Sequence, residues 1–174
     1  EELGKFKNYF KGAVSSSDAS TILLERKGIE VFSLNNVDEI AYYIDGADEV
    51  SPENFLIKGG GGAHTKEKIV ASAANEFICI VDQSKMVQRL GAFPLPVEVI
   101  PESRSLVARK IVSMGGKPVY RSGFITDQGN QILDLENIDI SNPKELEIIL
   151  NNIPGVVENG IFASDKPEIV LVSE

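Results

Sequence analysis

The apolar positions along the first ninety residues alternate between two rhythms. Residues 18–27 carry Ile22, Leu23 and Leu24 after a polar Ser15-Ser16-Ser17 start, and Gly28 follows them, so this stretch is predicted to be a helix with a glycine stop. Residues 65–75 repeat that rhythm, with Ile69, Val70, Ala73 and Ala74 on one side. Between and after them lie short, nearly unbroken apolar runs: 29–34 (IEVFSL), 41–44, 55–57 and 77–81 (FICIV). Continuous apolar strands separated by helices are what a parallel sheet covered on both faces requires. This half is predicted to be an α/β layer structure.

The pattern changes at residues 91–101 (GAFPLPVEVIP). Pro94, Pro96 and Pro101 cannot donate ladder hydrogen bonds and fit a linker or an edge strand. Beyond them the order reads strand (97–100), helix (103–114), strand (119–121 as extended chain, then 124–126), strand (131–135), helix (143–151) and strand (156–162). Asp127-Gln128-Gly129-Asn130 is a turn signal that predicts a hairpin between 124–126 and 131–135. The order β-α-β-β-α-β predicts a ferredoxin-like split βαβ unit. A last apolar run, 168–172 (EIVLV), is expected to return to the first sheet.

Composition narrows the chemistry. With 174 residues and 43% hydrophobic content, the chain suits one large domain or two small ones with a real core. Seventeen Lys and Arg against 26 Asp and Glu give a net charge of −9, which argues against a nucleic-acid or anionic-membrane surface. A small anionic ligand needs only a local basic pocket. There is no apolar run of membrane-spanning length, and the opening Glu1-Glu2-Leu3-Gly4-Lys5 does not read as a signal peptide. One cysteine, Cys79, excludes an internal disulfide and fits a reducing cytosol. It lies in the FICIV run and reads as inert core. The single histidine, His64, has no second metal ligand at sensible spacing and reads as a loop residue.

Three constellations carry ionisable groups. Asp45-Gly46-Ala47-Asp48-Glu49 follows a predicted strand, and ligands in open parallel sheets bind beyond the carboxyl ends of strands. Two carboxylates three residues apart around a glycine turn can converge on one substrate, and their proximity would raise one of the two pKa values and suit that group for proton transfer. A solvated Asp-Gly turn accounts for the same residues. In the run Lys58-Gly59-Gly60-Gly61-Gly62-Ala63-His64-Thr65-Lys66-Glu67-Lys68, four glycines let backbone N–H groups approach an anion ahead of a helix N-terminus. It is not a Walker A loop, since no Gly-Lys-Ser/Thr ends it. Thr65 is predicted to cap the helix, which places Glu67 in its first turn. There Glu67 either complements the helix dipole or serves as a general base. The third, Asp82-Gln83-Ser84-Lys85, offers Lys85 as a point charge for a phosphate, although alone it reads as a surface lysine beside a helix cap. Together these groups suit proton movement on a small, oxygen-rich anion, and an aldose–ketose interconversion through an enediolate uses such parts.

Segments 13–20 (AVSSSDAS), 43–50 (YIDGADEV), 57–72 (IKGGGGAHTKEKIVAS), 78–85 (ICIVDQSK) and 90–101 (LGAFPLPVEVIP) closely resemble the type A ribose-5-phosphate isomerases. The similarity continues through 120–123 (YRSG), 126–130 (TDQGN) and 153–163 (IPGVVENGIFA). The resemblance implies interconversion of D-ribose 5-phosphate and D-ribulose 5-phosphate in the non-oxidative pentose phosphate pathway, without metal or cofactor, in a cytoplasmic homodimer or homotetramer. It implies that Glu67 carries the proton between C2 and C1 and that Asp45 helps open the sugar ring. Asp48 and Lys58, with the backbone of Gly59, Gly60, Gly61 and Gly62, are implied to hold the reacting oxygens, and Lys85 the phosphate. The implied fold is a Rossmann-like parallel-sheet catalytic domain (residues 1–92 and 163–174) with a smaller ferredoxin-like α+β domain (93–162) serving as lid or oligomerisation unit. Family members open with a strand, a phosphate-gripping glycine-threonine-serine loop and a helix, and end with a short strand. These are expected to be missing from the sequence as it stands, with residues 1–10 matching that helix's tail and the linker after it. The alternative is a sugar-phosphate-binding sensor on the same scaffold, which would bind without turnover and would not need Glu67 and Lys58 together.

Overall fold

The computed structural model describes residues 2–173; Glu1 and Glu174, the outer bounds of the expected catalytic domain, lie outside them. After a 3₁₀ segment, β1 (Ala13–Val14), α1 (Asp18–Arg26) and β2 (Val31–Phe32) form a small parallel βαβ unit. Ser17 caps α1 by accepting from the Ser20 N–H at 3.1 Å, and Gly28 leaves it at φ +69°, where a residue without Cβ is unstrained. The strand expected over 29–34 shrinks to two residues. Its partner β1 is equally short, and Leu34 already turns into a 3₁₀ segment capped by Ser33.

Strands β3 (Ile40–Asp45) and β6 (Ala74–Asp82) pair in parallel, and the closing strand β12 (Ile169–Ser173) flanks β6 on its other side, as expected. α2 (His64–Ala73) packs on this sheet, and Tyr43, Phe77, Cys79 and Val81 form the buried face with Val70 and Phe162. The sheet is covered on that face alone among the described residues: Tyr42, Ile44, Ile80 and Leu171 are exposed, because neighbours along a strand alternate sides. The run 55–57 does not join this sheet. As β5 (Leu56–Ile57) it pairs antiparallel with β4 (Glu49–Val50) and with β11 (Ile161–Phe162). The β4–β5 connection is too short for the crossover that a parallel pair demands; it turns through Asn54 at φ +63° and closes with the Ser51 N–H donating to Phe55 O at 2.9 Å.

The second half forms the expected antiparallel sheet, in the order β10-β7-β9-β8, from β7 (Leu95–Val99), β8 (Lys117–Tyr120), β9 (Gln131–Glu136) and β10 (Val156–Asn159). α3 (Arg104–Ser113) and α4 (Pro143–Asn151) cover it through Val107, Ile111, Leu146 and Leu150. Three expectations need correction here. β7 is an interior strand despite Pro96. Residue 96 turns its carbonyl toward the Gly160 N–H (2.8 Å), and its nitrogen faces the same way, so no ladder donor toward β9 is lost. The hairpin partner of β9 is β8, not 124–126. The ladder ends as the Arg121 N–H donates to Ile132 O, and Thr126 is drawn off because its hydroxyl donates to the buried Glu98 carboxylate at 2.8 Å. The run 156–162 divides at Gly160 between two sheets. A Cβ there would lie 2.2 Å from Lys58 O, so glycine permits the strand to cross against the Lys58 backbone.

Candidate active site

β3 delivers Asp45 as its last residue, three positions before Asp48, whose N–H donates to Ile57 O at 2.8 Å. That pairing sets β5 beside the turn and brings out Lys58, whose N–H donates to Gly160 O at 2.9 Å. The Lys58 side chain returns beneath the turn. Its Nζ donates to Asp45 Oδ2 at 2.9 Å and to the Gly46 carbonyl, and lies 3.3 Å from Glu67 Oε2. Lys58 is only 3% exposed, and the Phe162 ring lies 5.6 Å from its ammonium. One buried cation thus stands between two carboxylates.

The electrostatics follow. Burial by itself would lower the Lys58 pKa, but the carboxylates of Glu67 and Asp45 outweigh it and hold the ammonium above its ordinary range. Glu67 is pushed up, chiefly by burial, with Lys58 opposing and Asp45 adding to the rise. Glu67 Oε2 is buried without a hydrogen-bond partner among the described residues. That oxygen faces the Lys58 ammonium at 3.3 Å, so its charge is met by the ion pair. Beside it, the Tyr43 hydroxyl donates to Asp45 Oδ2 at 2.5 Å, and burial followed by the Asp45 charge drives its pKa upward. Tyr43 is therefore a neutral donor that orients Asp45.

The glycine run closes the site. The Gly60 N–H donates to Asp48 Oδ2 at 2.7 Å, and a Cβ on Gly60 would lie 2.7 Å from the other Asp48 oxygen. At Gly62, φ is +80° and a Cβ would lie 2.2 Å from the Phe124 ring, whereas at Gly61 a Cβ meets open space. Gly61→Ala is therefore expected to change folding stability by no more than about 0.5 kcal/mol. Gly62→Ala, strained and overpacked, should cost more than about 1 kcal/mol. Urea denaturation of both variants checks this, and equal losses would contradict the steric assignment.

The structure brings Asp45, Asp48, Lys58, Glu67 and the loop Gly59, Gly60, Gly61 and Gly62 together. Lys85 stands apart from them, half-buried in a 3₁₀ turn just past the end of β6; it is at the same end of the parallel sheet as Asp45 and makes no ion pair among the described residues. Two expectations on α2 are corrected. The N-cap is Ala63, with no side-chain cap bond, and Thr65 instead turns its hydroxyl to Glu98. His64 is not a loop residue but the first residue of α2 and fully buried. Its Nε2 lies 3.3 Å from Glu158 O, its Nδ1 has no partner among the described residues, and burial lowers its pKa to about 3. Cys79 is core, with burial raising its thiol to about 11. Sequence reasoning missed Tyr43, which it counted as apolar strand, and Arg121, which reaches the glycine loop from β8. The only signal for Arg121 was its place in the 120–123 segment.

The family model for ribose 5-phosphate isomerase A (phosphoriboisomerase A) matches residues 12–174. The ribose-5-phosphate isomerase A of Mannheimia succiniciproducens is 58% identical over 99% of this chain and 79% of its own length. That of Legionella pneumophila is 56% identical over 99% and 80%. The crystal structure of ribose 5-phosphate isomerase A from Neisseria gonorrhoeae matches with TM-score 0.97 and 53% identity, over 99% of this chain and 77% of that one. A D-ribose-5-phosphate isomerase in complex with phospho-erythronic acid matches with TM-score 0.88 and 42% identity, over 91% and 72%. Fold, site and relatives define an enzyme of the aldose–ketose isomerase class. The chain belongs to the ribose 5-phosphate isomerase A family.

Proposed function

We propose that this enzyme interconverts D-ribose 5-phosphate and D-ribulose 5-phosphate, a step of the pentose phosphate pathway, by moving a proton between C2 and C1 through an enediolate. The observation that carries the reading is the buried Lys58 ammonium set between Asp45 and Glu67 beside the glycine loop. Glu67 removes the C2 proton and returns it to C1. Lys58 stabilises the negative oxygen of the enediolate in a site where little water screens it. Asp48, held by the Gly60 N–H, orients the reacting hydroxyls. Asp45, fixed by Tyr43 and Lys58, takes the hydroxyl proton that leaves one oxygen and returns it to the other, and assists ring opening in the same way.

Lys85 binds the phosphate. The solved relative that holds phospho-erythronic acid, a phosphorylated aldonic acid, supports a site for a sugar-phosphate chain. Residues 1–92 with 163–174 act as the catalytic domain and 93–162 as a lid or oligomerisation domain, in a cytoplasmic homodimer or homotetramer. No helix among the described residues is long and apolar enough to cross a membrane.

The test is formation of ribulose 5-phosphate from ribose 5-phosphate in the presence of EDTA. Turnover is expected; binding of the sugar phosphate without turnover would contradict it and favour the sensor. The relatives matched are isomerases, which leaves that alternative without support of its own. Lys85→Ala is expected to raise KM about tenfold or more, the loss of one charged hydrogen bond of about 1.5–3 kcal/mol, with kcat less affected. An unchanged KM would contradict the phosphate role.

A further inference from the structure

Arg121 leaves the end of β8 and reaches a loop about sixty residues earlier in the chain. Its Nε and Nη2 grip the Asp134 carboxylate at 2.9 and 2.5 Å, a bidentate pair that fixes the guanidinium plane. The remaining nitrogen, Nη1, donates to Gly59 O at 3.2 Å and to Gly60 O at 3.1 Å. The Phe124 ring lies 5.4 Å from the guanidinium carbon and packs against Gly62, so one hairpin holds both ends of the glycine loop. Side-chain exposures of 19% and 20% for Arg121 and Asp134 show that the pair is shielded from competing water.

The consequence comes from peptide planarity. In a trans peptide the C=O and the following N–H point in opposite directions. With Gly59 O on Arg121, the Gly60 N–H must face away, and it is found on Asp48 Oδ2 at 2.7 Å. With Gly60 O also on Arg121, the Gly61 N–H faces away from it too, and that N–H has no partner among the described residues. Glycine has little preference of its own between such orientations; the first unit is also held within the loop, where the Gly62 N–H donates to Gly59 O at 2.9 Å, whereas the Gly60 carbonyl has Arg121 as its partner among the described residues.

We propose that Arg121, braced by Asp134, is a positioning residue that sets the two peptide units of the glycine loop, keeping Asp48 aligned and presenting the Gly61 N–H to a substrate oxygen. This rests on the isomerase reading of the site, and turnover by the unaltered enzyme tests that reading separately. Lysine cannot replace Arg121, since one ammonium lacks the fork that spans a carboxylate and two carbonyls.

The experiment compares Arg121→Met, Arg121→Lys and Asp134→Asn with the unaltered enzyme. For Arg121→Met, kcat should fall about 10–100-fold with KM for ribose 5-phosphate little changed, since catalytic alignment rather than ground-state binding is lost. Arg121→Lys should behave similarly, Asp134→Asn should lose less, and added guanidinium should restore part of the kcat of Arg121→Met. The Gly60 and Gly61 amide resonances should shift in Arg121→Met whether or not turnover is measured. If the Met variant is poorly folded, Asp134→Asn carries the same amide and kcat tests. Unshifted amide resonances, an unchanged kcat, or a kcat loss that only tracks a lowered melting temperature with no guanidinium rescue would each overturn the assignment.

Discussion

Glu67→Gln is expected to lower kcat by about 10²–10⁴-fold, the usual contribution of a positioned general base, while ribose 5-phosphate still binds. Glutamine keeps the shape and loses only the ability to take a proton. The variant stays folded, because Asp45 at 2.9 Å still neutralises Lys58. The unaltered enzyme should show the matching pH signature. Burial, opposed by Lys58, raises the Glu67 pKa, and the base is the ionised form, so kcat/KM should climb with pH through a value above the ordinary carboxylate range. Steady-state kinetics across pH for both proteins reads both effects. Near-native turnover by Glu67→Gln would remove Glu67 from the mechanism.

Lys58→Met should be the most damaging change to stability and activity together. It removes the cation from between two carboxylates whose side chains are 29% and 17% exposed. Stripping one partner from a buried ion pair costs about 3–5 kcal/mol, and the partial exposure of Asp45 places this case toward the lower end. The cost should depend on pH in a defined direction. Without Lys58 nothing opposes the burial that raises the Glu67 pKa, so Glu67 is harder to ionise in the folded state than in the unfolded state, and stability falls as pH rises through that gap and recovers in acid. Adding Glu67→Gln should therefore return part of the lost stability at neutral pH. It should return no activity, because the stabiliser of the enediolate, worth about 10²–10³-fold in rate, is still absent. Urea denaturation at mildly acidic and neutral pH tests the first part; a loss of stability independent of pH would contradict the placement of Lys58 between the two acids.

What the sequence disclosed divides along a physical line. Local signals read correctly: Ser17 before an amphipathic run and Gly28 after it, the apolar 77–81 core of β6, and the β-α-β-β-α-β order of the second half. Errors arose where a distant partner outcompeted a local preference. Thr65 is a good cap by propensity, yet the buried Glu98 carboxylate takes its hydroxyl. Phe124 and Thr126 have strand-like character, yet one packs on Gly62 and the other bonds Glu98, and the hairpin shifts to β8. Gly160 divides a run that reads as one strand because the Lys58 backbone passes within contact. The acids, Lys58 and the glycine loop were legible because they lie within one stretch from 45 to 67. Tyr43 and Arg121 were not, since an aromatic in an apolar strand and a lone arginine show their partners only once the chain has folded.

The central claim is that Glu67 carries the proton between C2 and C1. The most direct measurement is isomerisation of ribose 5-phosphate in D₂O by the unaltered enzyme and by Glu67→Gln, following deuterium at C1 of the ribulose 5-phosphate formed. The carboxyl proton on Glu67 exchanges with solvent during the lifetime of the enediolate, so a carboxylate shuttle predicts deuterium at C1 with the unaltered enzyme and a loss of incorporation in Glu67→Gln that matches its loss of turnover. Incorporation by Glu67→Gln at the rate of the unaltered enzyme would contradict the account.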